Sequence, residues 1–180
     1  MSKKILLSIT SLVLFLSIFH SNVFAYPYDT SMDYRLGFGY GSSRYRQIKY
    51  YKYGSMDWSS AVNYGINQIN SNPAAVSGYF TTNYNNCNIV LSSNYWPSVS
   101  WSGVTTQVIN NYSAQKTIKL NSTYGSSEWL KNGIATHEFA HAWGVTDCEN
   151  PSSIECGYDN VRQVNYITSD VTNLFKDRYN

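Results

Sequence analysis

The sequence predicts an α+β domain with about three helices and a mixed sheet of four to five strands. Apolar residues recur at helical spacing in three segments, 58–69, 130–143 and 171–175. Short runs of β-branched and aromatic residues lie between the first and second of these segments, and polar turns separate them. A helix, a block of strands and two further helices, in that order, are typical of an α+β domain.

The first predicted elements are a strand and a helix. Residues 46–53 alternate in polarity and are rich in tyrosine, which favours a strand. The segment 54–57 then supplies helix-capping residues, and Asn72-Pro73 ends the helical spacing, so we expect the first helix between them. Upstream, residues 26–43 contain several glycines and no clear period, which predicts an irregular N-terminal segment.

Further strands are predicted at 75–82, 88–92, 104–110 and 116–121. The last of these alternates Lys or Thr with Ile or Leu, as an antiparallel or edge strand with one solvent-facing side does. Together with the strand at 46–53 they would form the sheet.

Two helices complete the predicted domain. Ser126-Ser127 precede the apolar spacing of 130–143 and Gly144 follows it, so we expect a helix that begins near 127 and ends at this glycine. Residues 168–179 carry the spacing of a C-terminal helix.

The first 25 residues have the pattern of a secretory signal peptide. Lys3 and Lys4 precede an apolar run over 5–19, and Val23-Phe24-Ala25 offers a small residue at the cleavage site. Because the run is shorter than the roughly 20 residues that cross a bilayer, we expect cleavage near Ala25 and a secreted chain, 26–180, without a transmembrane segment. If the signal were not cleaved, the protein would be anchored at the cell surface.

Composition excludes several classes of partner. The whole chain has 43% apolar and 13% charged residues, and without Lys3 and Lys4 eleven basic side chains balance eleven acidic ones. A neutral chain with scattered Lys and Arg offers no basic stripe to a phosphate backbone, so we expect no nucleic-acid partner. We expect a monomer.

Three cysteines remain after the signal peptide, and an odd number leaves at least one thiol outside an internal bridge. The short step between Cys148 and Cys156 favours a disulfide between them and leaves Cys87 over.

The motif His137-Glu138-Phe139-Ala140-His141 lies on the second predicted helix. Residues four apart share one helix face, so both imidazoles can bind a single zinc ion. No other histidine follows the signal peptide, which makes a chance occurrence a poor explanation. Glu138 projects from an adjacent sector, where it can accept a proton from a water molecule.

A third ligand must come from another residue type. Gly144 can take the left-handed conformation, which would turn the chain so that Asp147, three residues later, returns to the metal. A carboxylate oxygen binds zinc at distances similar to those of imidazole nitrogen. We therefore predict His137, His141 and Asp147 as zinc ligands and Glu138 as the catalytic base.

The string H-E-x-x-H-x-x-G-x-x-D over 137–147 resembles the metzincin zinc endopeptidases, and among them the matrixin-like and snapalysin-like enzymes. Weaker likeness extends over 45–180. The resemblance implies a zincin fold with a twisted mixed sheet, zinc as cofactor with calcium as a further ion, and hydrolysis of a protein or peptide substrate. That substrate would lie along the strand at 103–110, and Tyr158 or Tyr166 would stabilise the oxyanion.

One departure from the family concerns the methionine that forms an apolar floor beneath the metal. After Ser152-Ser153-Ile154 this chain has Glu155 and Cys156. We expect Cys156 or a tyrosine to fill the floor. Glu155 could alternatively be a ligand, an interpretation that ranks below Asp147.

A different class of function is a secreted binding or adhesion module without catalysis, in which zinc only stiffens the fold. Such a closed site needs a fourth protein ligand, for which Cys148 and Cys156 are candidates. Glu138 favours the enzyme, because a structural site has no use for a carboxylate beside its first ligand.

Overall fold

The computed structural model describes residues 27–33, 38, 45–52, 57–108 and 115–180. The predicted signal peptide and residues 34–37 and 39–44 of the N-terminal region lie outside this part of the chain. The described residues form five strands and three helices, which confirms the predicted α+β class. They are β1 (Tyr45–Lys52), α1 (Ser59–Asn70), β2 (Ser77–Phe80), β3 (Ile89–Asn94), β4 (Gly103–Val108), β5 (Gln115–Asn121), α2 (Glu128–Ala142) and α3 (Ser169–Tyr179).

The sheet is mixed, with the strand order β2-β1-β3-β5-β4. Four strands run parallel, and β4 pairs with β5 in the antiparallel direction at the edge of the sheet. The register places Gly103 opposite Leu120 and Thr105 opposite Ile118. Because directly opposed residues share a face, Gly103 and Thr105 lie on the same face of the sheet as the buried residues of β5.

The strand β5 corrects part of its prediction. It pairs in the antiparallel direction with β4, as expected, but it lies inside the sheet between β3 and β4. The charged residue Lys116 lies on the same side of the strand as Ile118 and Leu120 and is buried with them, whereas Lys119 on the other side is exposed. Its ammonium group donates a hydrogen bond to Gln107 Oε1 at 2.5 Å and lies 5.3 Å from the centre of the Phe38 ring. A cation next to an aromatic face and a polar acceptor is thereby accommodated in the interior.

The core lies where α1 and α2 cross over one face of the sheet. A Cβ atom at Gly65 of α1 would lie 2.9 Å from the Phe139 ring and 3.1 Å from the backbone of Ala135, so the lack of a side chain lets the two helices approach closely. The largest fully buried aliphatic side chains of the strands and α1 belong to Ile48, Ile69, Ile89, Leu91, Ile118 and Leu120. This packing anchors the middle of α2 and so places its C-terminal half beside β4 and β5.

The segment 27–33 runs along the loop 144–150. Met32 and Val145 form an isolated antiparallel bridge, and the Thr146 amide donates to the Ser31 carbonyl at 2.9 Å. The prediction of an irregular segment is not tested beyond these residues and Phe38. No helix in the described part of the chain has the length and apolar character needed to cross a bilayer.

Candidate metal centre

The two histidines of the motif lie on one face of α2, near its C-terminal end. Their Nε2 atoms are 2.9 Å apart. The Nδ1 atom of His137 lies 2.9 Å from the Ile154 carbonyl oxygen, and that of His141 lies 2.7 Å from the Val145 carbonyl oxygen. Because these carbonyls can only accept, each Nδ1 carries the hydrogen and each Nε2 keeps its lone pair for a metal.

Gly144 ends the helix as expected, with a φ of 99° that side-chain-bearing residues rarely adopt. The turn brings Asp147 back, so that its Oδ1 atom lies 3.3 Å from Nε2 of His137 and 3.4 Å from Nε2 of His141. Ligands placed tetrahedrally at about 2.0–2.1 Å from zinc lie about 3.3–3.4 Å apart. The three predicted ligands therefore come together at a spacing that suits zinc, after a small opening of the His137 to His141 distance.

The charges of this cluster are arranged to hold a cation. Burial lowers the pKa of His141, but the carboxylates of Glu155, Asp147 and Glu138 outweigh burial and raise it to about 10. Burial raises the pKa of Asp147, yet the adjacent imidazoles of His137 and His141 hold that pKa well below its usual range. The carboxylates around the two imidazoles thus favour positive charge at this point, as a site for a divalent cation requires.

Glu155 lies on the opposite side of the imidazoles and is fully buried. Its Oε2 atom is 3.0 Å from Nδ1 of His141 and 3.8 Å from Nδ1 of His137. Burial raises the pKa of Glu155 to about 7, and the two imidazoles partly counter this effect. A carboxylate therefore lies behind the two imidazoles, and the expectation that Cys156 or a tyrosine forms an apolar floor beneath the metal stays a prediction. Facing Nδ1 instead of Nε2, the Glu155 carboxylate is not a member of the ligand cluster.

Glu138 points from α2 toward the edge strand. The Thr105 hydroxyl of β4 donates to Glu138 Oε2 at 2.6 Å. The carboxylate and the ligands His137, His141 and Asp147 line one open cleft of about 730 Å³. Glu138 is therefore held beside the metal centre by a side chain from a strand that precedes it by more than 30 residues, and it has access to anything bound in the cleft.

Gly103 of β4 makes the space for this carboxylate, and we expect Gly103→Ala to lower the rate of any reaction that Glu138 catalyses by about 100-fold. A Cβ atom at residue 103 would lie 2.5 Å from Glu138 Oε1 and 2.7 Å from its Cγ atom. The side chain of Glu138 can move away, so stability should change little, but a displacement of about 1 Å is enough for a loss of this size. The rate of casein cleavage is measured at saturating zinc, and a thermal melt of the same protein measures its stability.

The matched control is Gly133→Ala, the same substitution four residues before His137. A Cβ atom there meets no atom closer than 3.6 Å, and alanine favours the helix, so activity should be kept and the melting temperature should rise. If Gly103→Ala were as active as Gly133→Ala, the lack of a side chain at residue 103 would have no role in positioning Glu138.

The far wall of the cleft is a polar network that connects β4 with the chain after Cys156. The Asp159 carboxylate accepts a hydrogen bond from the Ser102 hydroxyl and lies 2.9 Å from the guanidinium of the buried Arg162. Tyr158, one of the two predicted oxyanion stabilisers, lines this wall, whereas Tyr166 does not belong to the residues that line the cleft. Tyr166 is half exposed and lies near Tyr64.

A second cavity of about 480 Å³ adjoins the metal centre on the other side of Asp147. His141 and Asp147 form its border with the cleft, Thr105 and Gln107 its β4 side, and the buried Lys116 part of its floor. Pro27 and Ser31 of the N-terminal segment close it from outside.

Cys148 and Cys156 are free thiols in the structure, both fully buried, and they are partners in an isolated parallel β-bridge. Cys87 is buried elsewhere and donates to the Tyr84 carbonyl at 3.1 Å. Two cysteines that face each other across paired extended segments can form a disulfide with little backbone movement. The disulfide between Cys148 and Cys156 therefore stays a prediction that is compatible with the fold.

In an oxidising buffer we therefore expect Cys148 and Cys156 to join, because bridge partners need little backbone movement. The intact mass should fall by two hydrogens, only Cys87 should react with an alkylating reagent after denaturation, and reduction should cost about 2–3 kcal/mol of stability for a loop of this length. Three alkylated thiols in the unreduced protein would contradict the pairing.

Several residues of the site carry no signal in the sequence. Thr105 and Gly103 are ordinary strand residues, and only the antiparallel pairing of β4 brings them to Glu138. Ser102 and Asp159 likewise meet across a long stretch of chain. Glu155 was recognised in the sequence as a possible ligand, but its place behind the imidazoles was not predicted.

Comparisons with known proteins support the fold. No protein-family model matches the chain, and no curated protein matches it. Among solved structures, archaemetzincin from Methanopyrus kandleri matches with a TM-score of 0.52 and 9% sequence identity, over 76% of this chain and 96% of that one.

Two structures of myroilysin match with TM-scores of 0.41 and 0.38 and 17% identity, over 63% and 62% of this chain. They cover 52% and 46% of the myroilysin chains, so this chain spans about half their length. The archaemetzincin match identifies the fold as that of the zincin-like metallopeptidases, which confirms the predicted zincin fold. The matrixin-like or snapalysin-like subtype stays a prediction.

Proposed function

We propose that this protein is a secreted zinc-dependent endopeptidase. The observation that carries the proposal is the arrangement of His137, His141 and Asp147 around one point, with Glu138 beside them in an open cleft. Three protein ligands and an accessible fourth position are typical of catalytic zinc sites. The zincin-like fold is consistent with this chemistry.

Zinc, when bound by these three residues, supplies a Lewis acid that polarises a peptide carbonyl and makes water a better nucleophile near neutral pH. Glu138 accepts the proton of the attacking water and delivers it to the leaving amine nitrogen. The Thr105 hydroxyl orients the Glu138 carboxylate for both transfers. Tyr158 is placed in the same cleft, where its phenol can donate to the carbonyl oxygen as negative charge develops.

An extended peptide is the substrate that the cleft suits best. The strand β4 lies at the edge of the sheet and borders both the cleft and the smaller cavity. A peptide that pairs with this edge would present its scissile bond to Glu138 and place a neighbouring side chain in the smaller cavity. Main-chain pairing of this kind supports cleavage within a chain more than removal of a terminal residue.

The alternative, a module with a purely structural zinc ion, needs a fourth protein ligand. Among the described residues, the candidate ligand group contains only His137, His141 and Asp147. The two candidates for a fourth ligand, Cys148 and Cys156, lie next to the carbonyls of Asn150 and Tyr158. Nothing in the described part of the chain therefore favours a closed site.

Secretion rests on the signal-peptide pattern of residues 1–25, and the matrixin-like or snapalysin-like subtype on the aspartate at position 147. Calcium is expected only from that resemblance. Sequencing of the product from a secreting host tests the first point: a mature chain that begins at Tyr26 is the expected result.

The proposed activity is tested with unfolded casein as substrate. We expect the purified, zinc-supplied chain to produce internal fragments, a chelator to stop the reaction, and added zinc to restore it. A folded, zinc-loaded protein that leaves casein and a mixture of random peptides intact would contradict the proposal and favour the binding module.

A further inference from the structure

One buried carboxylate beside the metal centre has no part in the proposed reaction. Glu155 is fully buried, and its Oε2 atom lies 3.0 Å from Nδ1 of His141. Neither of its oxygens has a hydrogen-bond partner in the structure, because the Nδ1 hydrogens of His137 and His141 point to the Ile154 and Val145 carbonyls. A carboxylate buried in this way is costly unless a positive charge compensates it.

The side chains around Glu155 show where that charge must come from. The buried guanidinium of Arg162 also lowers the pKa of Glu155, but less than the imidazoles of His141 and His137 do; it pairs with Asp159 and donates two hydrogen bonds to the Cys156 carbonyl. The groups nearest to the negative charge of Glu155 are therefore the imidazoles of His137 and His141, whose other nitrogens, Nε2, face the proposed metal position.

We propose that Glu155 is the outer counter-charge of the metal centre, a positioning residue that acts on the ion through His141 and His137. This inference rests on the proposed zinc site. A negative charge behind two neutral ligands raises the affinity for a divalent cation, since interactions between charges are strong in a buried environment. Outer partners that are hydrogen-bonded to metal-binding histidines typically contribute 10-fold to 100-fold in affinity, and we expect an effect of that size from a buried charge 3.0 Å from the imidazole of His141.

Two other roles for Glu155 predict different results. If it only filled space beneath the imidazoles, an uncharged side chain of similar size would serve equally well. If it were a direct ligand, its loss would change the coordination geometry. Glu155→Gln keeps the shape and removes the charge, and Glu155→Met supplies an apolar floor of similar length.

The zinc dissociation constant of each variant is measured by competition with a chromophoric chelator. We expect both Glu155→Gln and Glu155→Met to bind zinc about 10-fold to 100-fold more weakly than the unchanged protein. The matched control is Glu149→Gln, which removes the same charge from the same loop at a partly exposed position, and which should leave the affinity unchanged. Thermal melts with and without zinc show that each variant is folded.

The visible spectrum of the cobalt-substituted protein reports the ligand set independently of activity. At saturating cobalt, Glu155→Gln should keep the spectrum of the unchanged protein, because the ligands stay His137, His141 and Asp147. Unchanged zinc affinity in Glu155→Gln, full affinity in Glu155→Met, or an altered cobalt spectrum would each overturn the inference. A protein that binds zinc with the expected differences but cleaves nothing would overturn the proposed peptidase and leave the role of Glu155 intact.

Discussion

Replacing Glu138 by glutamine is expected to lower peptide cleavage by about 10²–10⁴-fold, the usual contribution of a general base. Glutamine keeps the size of the side chain and can still accept the hydrogen bond from Thr105, but it cannot accept a proton from water. Glu138 is not one of the three clustered ligands, so zinc binding should be retained. The cleavage activity and the zinc affinity are measured on the same preparation. The first is kcat/KM for a peptide that contains a casein cleavage site, and the second is the zinc dissociation constant.

Glu128→Gln is the matched control for this experiment. It lies on the same helix, in the first turn, with its exposed carboxylate 3.2 Å from the Lys131 ammonium. Exposed pairs of this kind contribute little to stability, so the control should cleave like the unchanged protein. Full activity in Glu138→Gln would mean that another group takes the proton, and the assignment of Glu138 as base would be wrong.

Replacing Asp147 by alanine is expected to weaken zinc binding by more than about 100-fold, beyond the effect of removing an outer partner of a ligand. The reason is that only the two imidazoles would remain as protein ligands, because the turn at Gly144 would no longer supply a third. Asp147→His should recover most of the affinity, because imidazole nitrogen and carboxylate oxygen bind zinc at similar distances.

Zinc affinity of these variants is measured by the same chelator competition, with Asp29→Asn as a control that removes an exposed carboxylate from the neighbouring N-terminal segment. The control should bind zinc like the unchanged protein. If Asp147→Ala kept full affinity, the third ligand would have to be another residue, and the turn after Gly144 would have no role in metal binding.

Most of the helices and strands could be predicted because their signals are local. The apolar spacing around Ile66 and around Ile134, with Asn72-Pro73 and Gly144 as stop signals, placed α1 and α2 within a few residues of their observed bounds. The same holds for the metal ligands, since the distance between two residues one helical turn apart is a property of the helix itself.

The burial of Lys116 shows why other features were not predictable. Alternation places Lys116 on the same side of the strand as Ile118 and Leu120, but it does not reveal whether the interior holds a polar acceptor for the ammonium group. The interior partner of Lys116 is Gln107, and the antiparallel pairing of β4 with β5 places these two residues opposite each other.

The sequence by itself determined the helical motif, the two imidazoles on one face, and the turn that returns Asp147, because each depends on backbone geometry over at most about ten residues. Only the tertiary structure decided which groups surround that cluster. Thr105 and Gly103 reach Glu138 because β4 forms the edge of the sheet, and Glu155 reaches the back of the imidazoles because its loop folds beneath α2. Such contacts join segments that are far apart in the chain, and their formation depends on the packing of the whole core.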